Sequence, residues 1–285
     1  MSAAPNSNST VSDRTAPHPL ARLLAAGRPL VMGVLNITPD SFSDGGQFVD
    51  ARTALAHARR LVEDGADILD IGAESTRPYG GATPVSRDEE LARLEPVLPA
   101  AVSFGVPVSI DSIKAEVAAW ALDQGAAIVN DVWGLQRDPE MAPLVARRGV
   151  PVIVMHNRAS ADPALDIMAD IAAFFEASLA IAHRAGIPRD RIVLDPGIGF
   201  GKTPEQSMTA IGQLNRLKPF GLPLLVGASR KRFIATVTPS QPHERLGGSI
   251  AAHLLAVQNG AAIVRTHDVA ETVQALRVAA AIGAA

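Results

Sequence analysis

The sequence contains no cysteine, no long apolar run and no excess of charge of one sign. Without cysteine, disulfides, thiol nucleophiles, iron–sulfur clusters and cysteine-ligated zinc are excluded. No run reaches the roughly 18 uncharged apolar residues that a membrane-spanning helix needs, so no membrane partner is expected. Residues 1–17 are small and polar and lack the apolar centre of a secretory signal, which predicts a disordered tail on a cytoplasmic protein.

The charge balance and the apolar content narrow the class of protein. Lysine and arginine number 26 against 29 aspartates and glutamates, a formal charge of −3, whereas a nucleic-acid-binding protein would need a basic surface. No nucleic-acid partner is therefore expected. With 47% hydrophobic residues over 285 positions, the chain can bury a large core. No linker-like composition divides residues 18–285, so we expect one domain there.

From residue 29 onward one unit repeats: a short aliphatic run, a polar or glycine-rich turn, and a stretch with helical spacing. The predicted strands lie at residues 30–35, 68–71, 106–110, 127–129, 150–155, 192–194, 222–226 and 262–264. The predicted helices lie at 49–63, 87–102, 114–124, 139–148, 164–185, 204–218, 245–259 and 269–281. Eight such units predict a (β/α)₈ barrel, with a doubly wound open sheet as the alternative.

Polar side chains follow every predicted strand. In a barrel, all carboxyl ends open on one face, so these side chains would converge around a single mouth. Arginine, lysine and histidine are poor helix caps, so capping does not explain the whole set. Its members are Asn36, Glu74, Arg77, Asp111, Asn130, Asp131, His156, Asn157, Asp195, Ser229, Arg230, Lys231, Arg265 and His267.

The side chains of this set form two groups, which suit two different kinds of ligand. One group suits a heterocycle with an amidine-like edge, because a carboxylate accepts two N–H bonds; it consists of Asp111, Asn130 and Asp195. Another suits a phosphate-type anion, and consists of Asn36, Arg77, Arg265 and His267. Lys231 fits either group, with its stem on a ring or its ammonium on a carbonyl oxygen.

Three further features need interpretation. Residues 36–47 and 72–86 form connections longer than the 2–6 residues usual after a strand, which predicts binding loops or lids. The segment GIGFGKT at 197–203 has Pro196 where a phosphate loop needs glycine, so we interpret it as a tight turn that brings Phe200 to the mouth. His156 and His253 have no evident partners, and we expect packing or capping roles for them.

Seven segments, in order, resemble the motifs of the dihydropteroate synthase family. They are MGVLNITPDSFSDGG at 32–46, DIGAESTRP at 70–78, SIDS at 109–112, VNDVWG at 129–134, LDPGIGFGK at 194–202, GASRKRF at 227–233 and VRTHDV at 264–269. The resemblance covers the chain from residue 29 to its end. It implies a TIM barrel and, as is usual in the family, a homodimer.

The family joins 6-hydroxymethyl-7,8-dihydropterin pyrophosphate to p-aminobenzoate, which gives 7,8-dihydropteroate and pyrophosphate on the folate pathway. Carried over by motif, the pterin would be held by Asp111, Asn130, Asp195, Lys231 and Arg265. The pyrophosphate and Mg²⁺ would be held by Asn36, Arg77, Arg265 and His267, with Asn36 near the metal. The p-aminobenzoate site would consist of Phe42, Thr76, Pro78, Phe200, Ser229 and Arg230. The candidate catalytic residues are Asp111, Lys231 and Arg265.

Two alternatives stay open at this point. A methyltetrahydrofolate-dependent methyltransferase would share the pterin pocket but would have no use for the arginine and histidine anion site. A catalytically silent homologue would bind pterin or a partner protein without turnover.

Overall fold

The computed structural model describes residues 18–37, 47–74 and 85–284. Its strands are β1 (Leu30–Asn36), β2 (Ile68–Gly72), β3 (Val108–Asp111), β4 (Ile128–Asp131), β5 (Val152–Met155), β6 (Ile192–Asp195), β7 (Leu224–Val226) and β8 (Ala261–Thr266). Each strand pairs in parallel with the next, and β8 pairs with β1, so the sheet is a closed barrel. The predicted (β/α)₈ barrel is confirmed, and the open-sheet alternative is wrong.

The helices lie outside this barrel. They are α1 (Pro19–Leu24), α2 (Gln47–Glu63), α3 (Arg87–Leu94), α4 (Leu98–Ala101), α5 (Ala115–Asp123), α6 (Met141–Arg148), α7 (Ile167–Ala185), α8 (Pro204–Gly212), α9 (Arg232–Val237), α10 (Leu246–Gln258) and α11 (Val269–Gly283). One continuous apolar cluster joins helices α2 to α11 to the outward faces of the strands. In the described part of the chain, no helix is long and apolar enough to cross a membrane.

The helices differ from the predictions in several places. The helix predicted at 204–218 ends at Gly212 and is followed by a 3₁₀ helix at Leu214–Phe220. The helix predicted at 87–102 is divided into α3, α4 and a 3₁₀ turn at Val102–Phe104. Pro96 and Pro99 lie in this stretch, and proline interrupts a helix because it lacks an N–H and clashes with the preceding turn. The short helices α1 and α9 were not predicted.

A second apolar cluster fills the barrel interior. Its members are Leu20, Leu30, Met32, Ile68, Ile128, Ile153, Val193, Leu225 and Ile263. All but Leu20 come from the inward faces of strands. Leu20 belongs to α1 and is 1% exposed, while His18 before it contacts the carbonyl oxygen of Asp190 ahead of β6. Helix α1 therefore closes the amino-terminal end of the barrel, and only the carboxyl end is available for a polar site. The tail predicted at residues 1–17 lies outside the described residues.

Candidate active site

Polar residues form the layer of the barrel interior next to this apolar cluster. Side chains of a strand alternate between its two faces, so a residue two positions after an inward apolar residue also faces inward. Four strands carry such a pair: Ile68 and Asp70, Ile128 and Asn130, Val193 and Asp195, and Ile263 and Arg265. The fold thus stacks a polar layer directly above an apolar floor, at the carboxyl end of the barrel.

Arg265 connects three strands across this layer. Its Nε atom lies 2.6 Å from Oδ2 of Asp70 on β2, and its Nη2 atom lies 2.9 Å from Oδ2 of Asp111 on β3. Asp70 is fully buried, and the side chain of Asp111 is 11% exposed. Asn130 on β4 donates from Nδ2 to Oδ2 of Asp70 over 3.1 Å. Two carboxyl groups in the barrel interior therefore share one guanidinium.

Several buried polar atoms of this cluster have no hydrogen-bond partner among the described residues. They are Oδ1 of Asp70, Oδ1 of Asp111, Oδ1 of Asn130 and Oγ of Ser109. A buried polar atom without a partner costs about 1–3 kcal/mol, so such a group is unusual unless a ligand satisfies it. Three of these atoms are acceptor oxygens. The cluster is suited to a flat ligand that presents several N–H donors.

The electrostatics of the two predicted pterin carboxylates differ from those of surface aspartates. Burial and the charge of Asp70 raise the pKa of Asp111 to about 8, although Arg265 opposes the shift. Burial also raises the pKa of Asp195 to about 6, opposed by the hydrogen bond from the Gly197 N–H and by the charge of Lys231. A cation or an N–H donor beside either of these carboxyl groups would favour its ionised form.

Asn36 lies in the same row of the sheet as this cluster. The register of strands β1 to β4 aligns four residues across the sheet, in the order Asn36, Gly72, Asp111 and Asn130. A Cβ added at Gly72 would lie 3.2 Å from Cβ of Asp111, so this position favours glycine. The amide of Asn36 therefore stands at the mouth, two strands from Asp111.

The turn at 197–202 follows β6 and reaches the loop after β7. The N–H of Gly197 donates to Oδ1 of Asp195 over 2.7 Å. Phe200 lies beneath the ammonium group of Lys231, with 4.1 Å from Nζ to the ring centroid. The structure therefore brings together Asp195, Phe200 and Lys231, three of the predicted site residues.

The ends of β7 and β8 form a third group at the mouth. Oγ of Ser229 lies 2.9 Å from Nδ1 of His267. Burial and the cations of Arg265 and Arg230 lower the pKa of His267 to about 3, so its ring is neutral near pH 7. Nε of Arg230 donates to Oδ2 of Asp268 over 3.0 Å, and the two residues form an ion pair. Arg230 thus reaches the mouth with its guanidinium already paired.

Four predicted site residues lie outside the described residues: Phe42, Thr76, Arg77 and Pro78. Their roles in the anion and p-aminobenzoate sites remain predictions.

Sequence reasoning missed two buried groups and misjudged a third. Asp70 lies within a strand and not after one. Lys202 is 1% exposed, and burial lowers its pKa to about 7. His156, expected to lack partners, contacts Lys202 through Nδ1 at 2.6 Å and Asp170 through Nε2 at 3.0 Å. His253 is buried, and its Nε2 accepts a hydrogen bond from the Ala228 N–H in the loop after β7, over 3.3 Å.

Comparison with known proteins identifies the family. Residues 32–267 match the pterin binding enzyme family. The dihydropteroate synthase of Bacillus subtilis (strain 168) is 46% identical over 243 residues, which cover 85% of this chain and 84% of that protein. The chain belongs to the dihydropteroate synthase family. The synthase of Escherichia coli (strain K12) is 42% identical over 262 residues, 90% of this chain and 92% of that protein.

Solved structures agree with this assignment. A dihydropteroate synthase of Clostridium difficile, determined in the presence of pteroic acid, has a TM-score of 0.86 and 46% identity, covering 90% of this chain and 97% of that chain. The Xanthomonas albilineans synthase with 4-aminobenzoic acid has the same TM-score and identity, covering 90% and 94%. The family, the transferase class and the synthase function predicted from the motifs are confirmed, and the methyltransferase alternative is not supported.

Proposed function

We propose that the mouth of the barrel condenses 6-hydroxymethyl-7,8-dihydropterin pyrophosphate with p-aminobenzoate, giving 7,8-dihydropteroate and pyrophosphate for the folate pathway. The cluster of Asp70, Asp111, Asn130 and Arg265, with its unpartnered acceptor oxygens, is the observation that carries the proposal. A Xanthomonas albilineans synthase of 43% identity was solved in complex with 7,8-dihydropteroate, which supports the same product here. The substrates are small and water-soluble, and we place the reaction in the cytoplasm.

The pterin would lie in the polar layer. The N–H groups of its pyrimidine edge match the acceptor oxygens of Asp111, Asn130 and Asp195, and the flat guanidinium of Arg265 can stack on the ring. Lys231 would donate to the ring carbonyl while its stem packs on Phe200. This assignment uses all the unpartnered oxygens except those of Asp70 and Ser109, which lie deeper.

The pyrophosphate would lie toward β1 and β8. Asn36, Arg265 and His267 stand at the strand ends there, and Arg77 is proposed to join them from outside the described residues. His267 is neutral near pH 7, so it would act as a hydrogen-bond donor and not as a cation. The charge complementarity therefore comes from the arginines and from Mg²⁺.

The donor set fits Mg²⁺. In the described residues, no three histidine, aspartate or glutamate side chains form a metal cage. Mg²⁺ commonly binds through one or two protein oxygens together with substrate phosphates, and the half-buried amide oxygen of Asn36 supplies a hard ligand at the mouth. When bound, Mg²⁺ would neutralise charge on the pyrophosphate oxygens.

The p-aminobenzoate site is proposed at the turn after β6 and the loop after β7. Phe200 and the Lys231 stem offer an apolar wall for the ring, and Ser229 and Arg230 line the adjoining edge. Phe42, Thr76 and Pro78 are proposed to complete the site.

The reactivity of the amine determines the order of events. The aromatic amine is neutral at pH 7 but is a weak nucleophile, because its electron pair is delocalised into the ring. Departure of pyrophosphate therefore precedes attack in an SN1-like step: the C–O bond breaks, and the cation left on the methylene carbon is delocalised into the pterin. Asp111 would stabilise this cation. The amine then forms the C–N bond and loses its proton.

The protein is also proposed to be a homodimer through its last two helices. Leu255 of α10 is 53% exposed, and Val278 and Ile282 of α11 are 54% and 72% exposed. These two helices pack against each other, so their large apolar side chains are available on adjacent surfaces. Sedimentation equilibrium at micromolar concentration should show a dimer, and a monomer throughout would contradict the proposal.

The deciding experiment is pyrophosphate release from the purified protein. The protein is supplied with the pterin pyrophosphate and Mg²⁺, with p-aminobenzoate present or absent. Release that requires p-aminobenzoate and equals the dihydropteroate formed would support the synthase. Tight pterin binding without coupled release would indicate the silent homologue.

A further inference from the structure

Lys202 is a buried lysine that the proposed reaction does not use. Its ammonium group contacts three acceptors: the carbonyl oxygen of Gly197 at 2.9 Å, that of Phe200 at 3.1 Å and Nδ1 of His156 at 2.6 Å. An ammonium group has three N–H donors, enough for all three contacts at once. Two of these acceptors belong to the turn at 197–202.

This network is anchored on two other elements. His156 follows β5, and its Nε2 atom lies 3.0 Å from Oδ2 of Asp170 on α7. The other carboxylate oxygen of Asp170 accepts from Nη1 of Arg158 over 2.8 Å. The chain of contacts ties Lys202 to the outer layer of the barrel, so the ammonium fixes the turn relative to the scaffold and not only within itself.

The same turn contacts residues of both proposed substrate sites. Gly197 donates to Asp195 in the pterin layer, and Phe200 packs under Lys231 beside the p-aminobenzoate site. The turn is built from glycines in the left-handed region, with φ of 64° at Gly197, 81° at Gly199 and 54° at Gly201. Such backbone has few intrinsic preferences for one shape, so its conformation depends on external hydrogen bonds.

We propose that Lys202 is a positioning residue: its hydrogen bonds hold the turn so that Phe200 packs against Lys231, and this arrangement sets the affinity for the p-aminobenzoate ring. The inference rests on the proposed function, because it uses the p-aminobenzoate site placed there. The effect is expected in KM for p-aminobenzoate and not in the binding of pyrophosphate, whose proposed ligands lie on other strands.

The test is a double-mutant cycle of Lys202→Met and Phe200→Ala. Methionine keeps an unbranched side chain, shorter by one atom, and removes the three donors. We expect Lys202→Met to raise KM for p-aminobenzoate about tenfold, while the inhibition constant of Mg²⁺-pyrophosphate changes less than about twofold. In the Phe200→Ala background, the same change should raise KM by less than about threefold, because coupled residues are not additive. Lys218→Met, at an exposed position before β7, is the matched control.

A second variant covers the case in which Lys202→Met does not fold. The chain has no cysteine, so Lys202→Cys carries a single thiol. In denaturant, its thiolate displaces bromide from 2-bromoethylamine and forms a C–S bond, which restores an amine at nearly the original length. After refolding, the alkylated protein should regain KM to within about threefold of wild type, with wild-type protein taken through the same steps as the control.

The outcomes separate the two proposals. A wild-type protein without p-aminobenzoate-dependent release would overturn the proposed function, and this inference with it. An active wild type with an unchanged KM in folded Lys202→Met, additive effects in the cycle, or refolded alkylated protein that keeps a raised KM would overturn the role of Lys202 alone.

Discussion

Replacement of Asp111 by asparagine separates the catalytic role of its charge from its effect on stability. The change keeps the size of the side chain and one acceptor oxygen, and it removes one of two carboxylates that share Arg265. We expect kcat to fall and the folded state to become more stable. The prediction is distinctive because the same substitution should lower kcat and raise the free energy of unfolding.

The loss of rate follows from the charge that Asp111 carries when the pterin cation forms, because a nearby cation lowers its raised pKa of about 8 and favours the carboxylate. Opposite charges about 4 Å apart attract by about 4 kcal/mol at an effective dielectric constant of about 20. Asp111 shares this role with the other groups of the cluster, and removal of one preorganised group typically lowers kcat by about 10²–10³. We therefore expect a decrease in kcat of that size, with a smaller change in KM for the pterin substrate.

The gain in stability follows from the raised pKa. Burial and Asp70 raise the pKa of Asp111 from 3.8 to about 8, so ionisation is harder in the folded than in the unfolded chain. Such a group destabilises the fold increasingly as pH rises from about 4 to about 8. The side chain keeps 11% exposure, and Arg265 keeps Asp70 as its partner. We therefore expect a net gain in the free energy of unfolding of about 1–2 kcal/mol, or roughly 2–4 °C in Tm, larger at pH 8 than at pH 5.

The assay compares Asp111→Asn with Asp138→Asn by single-turnover kinetics and by thermal unfolding at both pH values. The carboxylate of Asp138 accepts from the backbone N–H groups of Ala115 at 2.8 Å and Glu140 at 2.9 Å. The control should therefore lose about 1 kcal/mol of stability and keep its kcat. A normal kcat in Asp111→Asn would refute the electrostatic role, and a lower Tm at pH 8 would refute the reasoning from the pKa.

Three other changes at the mouth have expected outcomes. In Gly197→Ala the new Cβ would lie 1.9 Å from the His156 carbonyl oxygen at a φ of 64°, so soluble yield or Tm should fall, and a wild-type Tm would contradict the turn geometry. The pKa of His267 is lowered to about 3, so this residue does not titrate between about pH 5 and 8. Over that range, the inhibition constant of pyrophosphate should therefore depend on pH in the same way in wild type and in His267→Gln. Chelation of Mg²⁺ should stop turnover and shift Tm by less than about 1 °C, since the described residues form no metal cage; a large fall in Tm would indicate a structural metal.

The barrel was predictable because its pattern is repeated eight times. Short apolar runs alternate with helical stretches, and an error in the boundary of one element does not change the number of strand–helix units. The failures are local and have physical reasons. Pro96 and Pro99 divide the helix predicted at 87–102, and the six residues of α1 are too few to show a helical period. The sequence alone did not show that α1 closes the barrel, because that depends on Leu20 meeting strand residues from the whole chain.

The candidate site was predictable where its residues end strands. Asp111, Asn130, Asp195 and Arg265 stand at or near such ends, and the barrel brings their strands to one mouth. Their mutual contacts were not predictable. That Arg265 reaches past β1 to strands β2 and β3 depends on the inward direction of its side chain, and a search for polar residues after strands contains no such information.

Asp70 and Lys202 show which signals would have extended the prediction. Asp70 is the one charged residue of the strand ILDIG and lies two positions after the inward Ile68, so period-two alternation places it in the polar layer. Lys202 offers no comparable pattern, because its partners are two carbonyl oxygens of its own turn and a histidine 46 positions earlier. Every residue has a backbone carbonyl oxygen, so hydrogen bonds to such oxygens are not marked by any particular residue type in the sequence. Its role becomes visible only when the turn and strand β5 are placed side by side.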